Sequence, residues 1–155
     1  MRESVFSCLG DLSGLSFLDI FSGSGIIALE AASRGAAYIE AVESDPLKRK
    51  TLLDNVSISP VRINCHFISA ELYVIRARRL FDVIFLDPPF PYRYRRELML
   101  SIAASQLVSN ESKILIHRPR NDYIQHDSLL KQDSREYGRS VVDFFRAAKS
   151  EPGFS

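Results

Sequence analysis

Strand-like and helix-like patterns alternate along almost the whole chain, then give way near its end to two strand patterns joined only by a turn around Gly138. Such alternation points to an α/β fold with a mainly parallel sheet, because parallel neighbours need a crossover between them, usually a helix. The turn at Gly138 is too short for a crossover, so the last two strands must form an antiparallel hairpin. Strands are expected at Ser16 to Phe21, Tyr38 to Glu43, Arg62 to Ser69, Phe81 to Asp87, Lys113 to His117, Leu129 to Glu136 and Ser140 to Ala147. Helices fit at Arg2 to Leu9, Gly25 to Arg34 closed by Gly35, Pro46 to Ser57 capped by Asp45, Glu71 to Arg79, and Tyr94 to Gln106. The expected sheet is mostly parallel with a C-terminal antiparallel hairpin and helices on both faces. Right-handed crossovers set the first strand beside the fourth, where ligands of doubly wound sheets bind at the carboxyl ends. Asp19 and Asp87 should then face one cleft.

A chain of 155 residues is the size of one domain, expected to span 1–155. Its composition, 46% hydrophobic and 25% charged, is that of a soluble protein, and no apolar run approaches the ~18 residues of a membrane span. The segment Met1 to Phe6 has an acid at its third position and no long apolar stretch, so it is not a secretory signal. A cytoplasmic monomer with no membrane partner is expected. Cys8 and Cys65 lie outside any metal or CxxC spacing and are read as small core residues. The net charge of +1 gives no general pull toward nucleic acid, but Arg76, Arg78, Arg79, Arg93, Arg95 and Arg96 are concentrated in one stretch.

Chemistry concentrates in two motifs. Asp87-Pro88-Pro89-Phe90 follows the apolar run Val83 to Leu86, and its prolines fix the backbone and withdraw two N–H donors. A rim of acceptors beside an aromatic ring suits a planar molecule bearing an amine. Upstream, Leu18 to Gly25 reads as a strand turning through Gly23 and Gly25 into a helix, letting backbone approach a ligand closely. Gly23 to Ala28 also satisfies a dinucleotide-binding pattern, but the anionic Asp19 would repel a pyrophosphate and attract the ammonium and sulfonium of S-adenosylmethionine. Glu43 ends the next strand, placed to accept hydrogen bonds from two ribose hydroxyls of either cofactor. Ser69-Ala70, after the third strand, falls where an adenine ring would pack. Asp19, Phe21, Gly23, Gly25, Glu43, Ser44, Ser69 and Ala70 are the candidate cofactor contacts. No metal is called for.

In this order the two motifs resemble a class I S-adenosylmethionine-dependent methyltransferase with a Rossmann-like sheet. Arg2 to Phe6, Leu18 to Gly25, Leu29 to Ala36, Phe81 to Phe90 and Tyr137-Gly138 together resemble the RsmD family, bacterial enzymes that methylate a guanine amine in 16S ribosomal RNA. The resemblance implies that Asp87 and the Pro88 carbonyl accept the two amine hydrogens, that Pro89 shapes the loop, and that Phe90 stacks on the base. The product would be S-adenosylhomocysteine, with the amine proton passing to Asp87 or to water. It also implies 16S rRNA or a small-subunit assembly particle as partner, with Arg2, Arg93, Arg95 and Arg96 as candidate RNA contacts. The family's usual N-terminal arm is expected to be absent. His117, where relatives more often show an acid, is read as a strand-end structural residue. Adenine in DNA or RNA, or a protein glutamine, remains an alternative acceptor for the same motif. A catalytically inactive nucleotide- or RNA-binding module is another reading, and a nicotinamide enzyme a third.

Overall fold

Side chains alternate across a strand with a period of two, so a sheet covered on both faces needs strands that are apolar throughout. Val83–Leu86 meets that demand, with every residue buried. The computed structural model of the protein describes residues 1–150. Its strands are β1 (Ser16–Ile20), β2 (Tyr38–Val42), β3 (Ile63–His66), β4 (Val83–Leu86), β5 (Lys113–Pro119), β6 (Leu129–Tyr137) and β7 (Ser140–Ala147). They form one seven-stranded sheet in the order β3-β2-β1-β4-β5-β7-β6. β1 pairs in parallel with β2 and β4, while β7 runs antiparallel between β5 and β6. The chain therefore winds outward from β1 to β3 and returns to β4, leaving a crevice where the winding reverses.

Helices α1 (Arg2–Leu9), α2 (Ile26–Ser33), α3 (Arg49–Val56), α4 (Ala70–Arg76) and α5 (Arg95–Ala104) supply the covering layers. Along β1 and β4 the alternation sends Phe17, Val83 and Phe85 into one core with Val5, Phe6, Ala28 and Ala31 of α1 and α2. Leu18, Ile20, Ile84 and Leu86 enter the other, with Tyr73, Val74, Leu98, Met99 and Ile102 of α4 and α5. Among the described residues no helix is long and apolar enough to cross a membrane.

The expected elements are all present, and their boundaries shift for local reasons. The third strand pairs only over Ile63–His66, because Phe67 and Ile68 carry the chain toward Ser69, whose side chain caps α4. Pro46–Lys48 forms a 3-10 turn, capped by Asp45 accepting the Leu47 N–H, before α3 starts. The fifth strand runs on to Pro119 because β7 pairs along it as far as Ser140. The fifth helix stops at Ala104: Ser105 turns extended and its hydroxyl takes the Ile102 carbonyl. One expectation is corrected, since Cys8 is exposed on the outer side of α1 instead of buried in the core. Cys65 is half-buried.

Candidate functional site

Register brings the site together. Leu86 pairs with Ile20 on one side and Ile116 on the other, so the next residues, Phe21, Asp87 and His117, emerge side by side at the carboxyl edge. The Asp87 N–H still bonds the Ile20 carbonyl at 3.3 Å, which fixes the loop as it leaves the sheet. Asp87 Oδ1 then meets His117 Nδ1 at 2.9 Å, and His117 Nε2 meets the Ser140 hydroxyl at 2.7 Å. Asp87 Oδ2 makes no hydrogen bond among the described residues, and Asp87 lines a cleft of about 600 Å³. The same cleft is lined by Phe21, Ser22, Gly23, Glu43, Ser44, Ser69, Ala70, Pro88, Pro89 and Phe90. Nine of the sequence-derived candidates thus share one cavity with Asp87, and Ser22 joins them; Asp19, Gly25 and the arginines do not line it.

The glycine turn forms one wall. Phe21 adopts φ 63°, a left-handed conformation costly for a residue with a side chain, and its ring edge meets Tyr92 at 5.1 Å between centroids. Gly25, at φ 85°, lies so close to α3 that a Cβ there would stand 2.7 Å from Leu52 Cδ1. Glu43 ties the turn to β2: Oε1 accepts the Gly23 N–H at 2.8 Å and Oε2 the Asp45 N–H at 2.9 Å. Each carboxylate oxygen keeps a lone pair for a ligand hydroxyl.

Asp19 stands behind this wall, which corrects the expectation that it opens into the cleft. The strand alternation points it toward α2, where it is wholly buried and Oδ2 accepts the Ser22 hydroxyl at 2.7 Å and the Ala28 N–H at 3.2 Å. Oδ1 has no partner. Burial pushes the carboxyl up to about 7, opposed by those two hydrogen bonds, and the Asp87 and Glu43 carboxylates add to the rise. Ser69 likewise has a structural duty that its position alone does not reveal, its hydroxyl accepting the Leu72 N–H at 3.2 Å.

Arg95 is the second correction. It is buried, at 3% exposure, and its guanidinium donates to the carbonyls of Pro89, Phe90 and Tyr92 and to Asp122. Those bonds hold the loop after Asp87, leaving no free face for a phosphate. Arg93 and Arg96 are exposed beyond the rim, and Arg2 is half-buried on α1 away from the cleft. Sequence reasoning missed three residues. His117 could have been found by aligning the strand ends Leu86-Asp87 and Ile116-His117. Ser22 stands within the turn itself, and Tyr92 lines the cleft with its hydroxyl on Glu71. Burial first, and then Glu71, hold the Tyr92 hydroxyl above the ordinary tyrosine range.

Among the described residues, Glu43, Asp45, Glu71 and Asp87 line the cavity against a single cation, Lys48, with the Asp19 carboxyl and its unpaired oxygen behind. Such a surface disfavours a pyrophosphate and favours a cationic, hydroxyl-bearing ligand. These donors and acceptors therefore fit S-adenosylmethionine better than a dinucleotide.

Residues 1–146 match the family model described as "Conserved hypothetical protein 95". The chain is 27% identical over 124 residues to the Ribosomal RNA small subunit methyltransferase D of Buchnera aphidicola, covering 76% of this chain and 62% of that protein. It is 31% identical over 143 residues to the tRNA1(Val) (adenine(37)-N6)-methyltransferase of Cytophaga hutchinsonii, covering 88% of this chain and 57% of the relative. The chain thus spans roughly three fifths of the length of these curated relatives. A solved structure from Streptococcus pyogenes, titled a conserved hypothetical protein, superposes with a TM-score of 0.86 at 26% identity, covering 95% of each chain.

Proposed function

The chain belongs to the Conserved hypothetical protein 95 family, the RsmD family of the sequence resemblance, and from that premise we propose that it transfers a methyl group from S-adenosylmethionine to the exocyclic amine of a guanine in small-subunit ribosomal RNA. The observation that carries this reading is Asp87, with Oδ1 engaged by His117 and Oδ2 free in a cleft shared with the glycine turn and Glu43. Glu43 would take the ribose hydroxyls, and the turn from Phe21 to Gly25 would receive the methionine portion, beside the Asp19 carboxyl. S-adenosylmethionine, when bound, would supply an electrophilic methyl: the amine nitrogen bonds to that carbon as the carbon–sulfur pair leaves on sulfur, and one amine proton passes to Asp87 or to water.

An aryl amine is a poor nucleophile because its lone pair is delocalised into the ring. Asp87 Oδ2 and the Pro88 carbonyl, accepting its two hydrogens, draw the nitrogen toward tetrahedral geometry and align the lone pair. Phe90, 52% exposed at the rim, is free to stack on the base, an interaction of roughly 1–3 kcal/mol. Positioning does most of the work, since reacting atoms held about 3–3.5 Å apart gain the greater part of the entropic advantage. A guanine inside a duplex has to be extruded first, at a cost of a few kcal/mol.

The test is tritiated methyl transfer to free 16S rRNA, small ribosomal subunits and tRNA, followed by nucleoside analysis. Label in N2-methylguanosine of the small-subunit RNA is expected. The Cytophaga relative favours a second reading, adenine N6 in tRNA, and label there would replace the guanine assignment. Calorimetry should show S-adenosylmethionine and S-adenosylhomocysteine binding where NAD does not.

A further inference from the structure

A second hydrogen-bonded unit stands directly behind the acceptor carboxylate. The Ser140 hydroxyl lies 2.7 Å from His117 Nε2 and 3.1 Å from the Tyr137 carbonyl, and its one hydrogen can go to either. The other ring nitrogen, Nδ1, faces Asp87 Oδ1, a carboxylate oxygen that can only accept. Nδ1 therefore carries a hydrogen and donates it to Asp87, while Ser140 holds the far side of the ring. The Phe90 ring meets the imidazole edge-on at 5.8 Å and closes the third side. Arg118, next along β5, does not compete for Asp87, because it points to the other face and pairs with Asp143 at 2.6 Å.

We propose that His117 is the positioning residue for Asp87: an imidazole, clamped by Ser140, whose Nδ1–H holds Oδ1 and so presents Oδ2 to the acceptor amine. This deepens the amine-methylation reading and rests on it. The physical need is visible in the cavity. Asp87 is half-buried at the cleft edge and its Oδ2 makes no hydrogen bond among the described residues, so the carboxylate needs an anchor on Oδ1 to keep one rotamer. The hydrogen bond with His117 Nδ1 at 2.9 Å is that anchor. The His117-Ser140 contact spans β5 and the start of β7, so the clamp is built on sheet, not on the loop it holds.

Two measurements test this. In the free protein, nitrogen-15 NMR of the imidazole near neutral pH should show His117 Nδ1 protonated in wild type, with that signature lost in Asp87→Ala. A bare Nδ1 in wild type overturns the proposal without reference to activity. In methyl transfer to the small-subunit RNA, His117→Ala should lower kcat by about 10- to 100-fold with both KM values within about 3-fold, the pattern of an interaction expressed in the transition state. Added imidazole should restore part of that loss in His117→Ala but none in Asp87→Ala. An unchanged kcat, or a loss confined to KM, overturns it. Ser140→Ala, a smaller change, should lower kcat in the same direction and keep the fold, so a folding defect in the His117 variant leaves the kinetic test intact. If wild type transfers no methyl group to any RNA, the functional reading fails and the NMR result alone decides whether His117 Nδ1 holds Asp87.

Discussion

Asp19 is a carboxyl that the folded chain keeps protonated to about pH 7 because it is wholly buried. Its ordinary value is 3.8, so the folded state binds this proton more tightly than the unfolded chain does. The associated penalty is absent below about 3.8, grows as pH rises, and is complete above about 7. Asp19→Asn should therefore raise the melting temperature at pH 8 and leave it little changed at pH 4. Equal shifts at both pH values would remove the burial argument. A cationic ligand beside the same carboxyl favours its ionised form, so S-adenosylmethionine binding near pH 6 should release protons. Calorimetric enthalpies that differ between buffers of different ionisation enthalpy would reveal the release, and identical enthalpies would speak against it.

The glycine turn and the loop after β4 are rigid for different reasons. Gly25 combines φ 85° with the 2.7 Å approach to Leu52, so Gly25→Ala brings backbone strain and overpacking of about 1–3 kcal/mol each, readable as a lower denaturant midpoint. Arg95→Met would remove the donor shared by the Pro89, Phe90 and Tyr92 carbonyls, at about 0.5–1.5 kcal/mol for each hydrogen bond lost. Amide exchange over residues 88–94 should accelerate in that variant while the centre of the sheet stays protected. These elements also mark how far sequence reasoning reached. The strand–turn–helix at Asp19 and the strand end at Asp87 were legible because hydrophobic runs, glycines and prolines act locally. Arg95 was not, because one face of α5 turns inward under the loop and a single arginine carries no sign of which way it points. The inward orientation of Asp19 needed only the two-residue alternation of β1. The pairing of His117 with Asp87 needed the register between β4 and β5, which no motif encodes.

The whole molecule separates a carboxylate-lined cavity from cations placed outside it. Arg93 and Arg96 are exposed beyond the rim, while Lys48 is the one cation among the described residues lining the cavity. Backbone phosphates should therefore be held outside while a base enters. Arg93→Ala with Arg96→Ala should weaken RNA binding and flatten the dependence of log K on log salt by about 0.7 for each lost contact with single-stranded RNA. An unchanged slope would return both arginines to ordinary solvation. The sheet's margin has a consequence of its own. β6 is an outermost strand, exposed from Leu130 to Glu136, carrying Lys131, Asp133, Arg135 and Glu136 and an irregular register between Lys131 and Asp133. Charge and a kink along a free border deny a template to any second strand trying to zip onto it. Concentrated solutions should stay free of thioflavin-positive fibrils, whereas Lys131→Val with Arg135→Val should seed them.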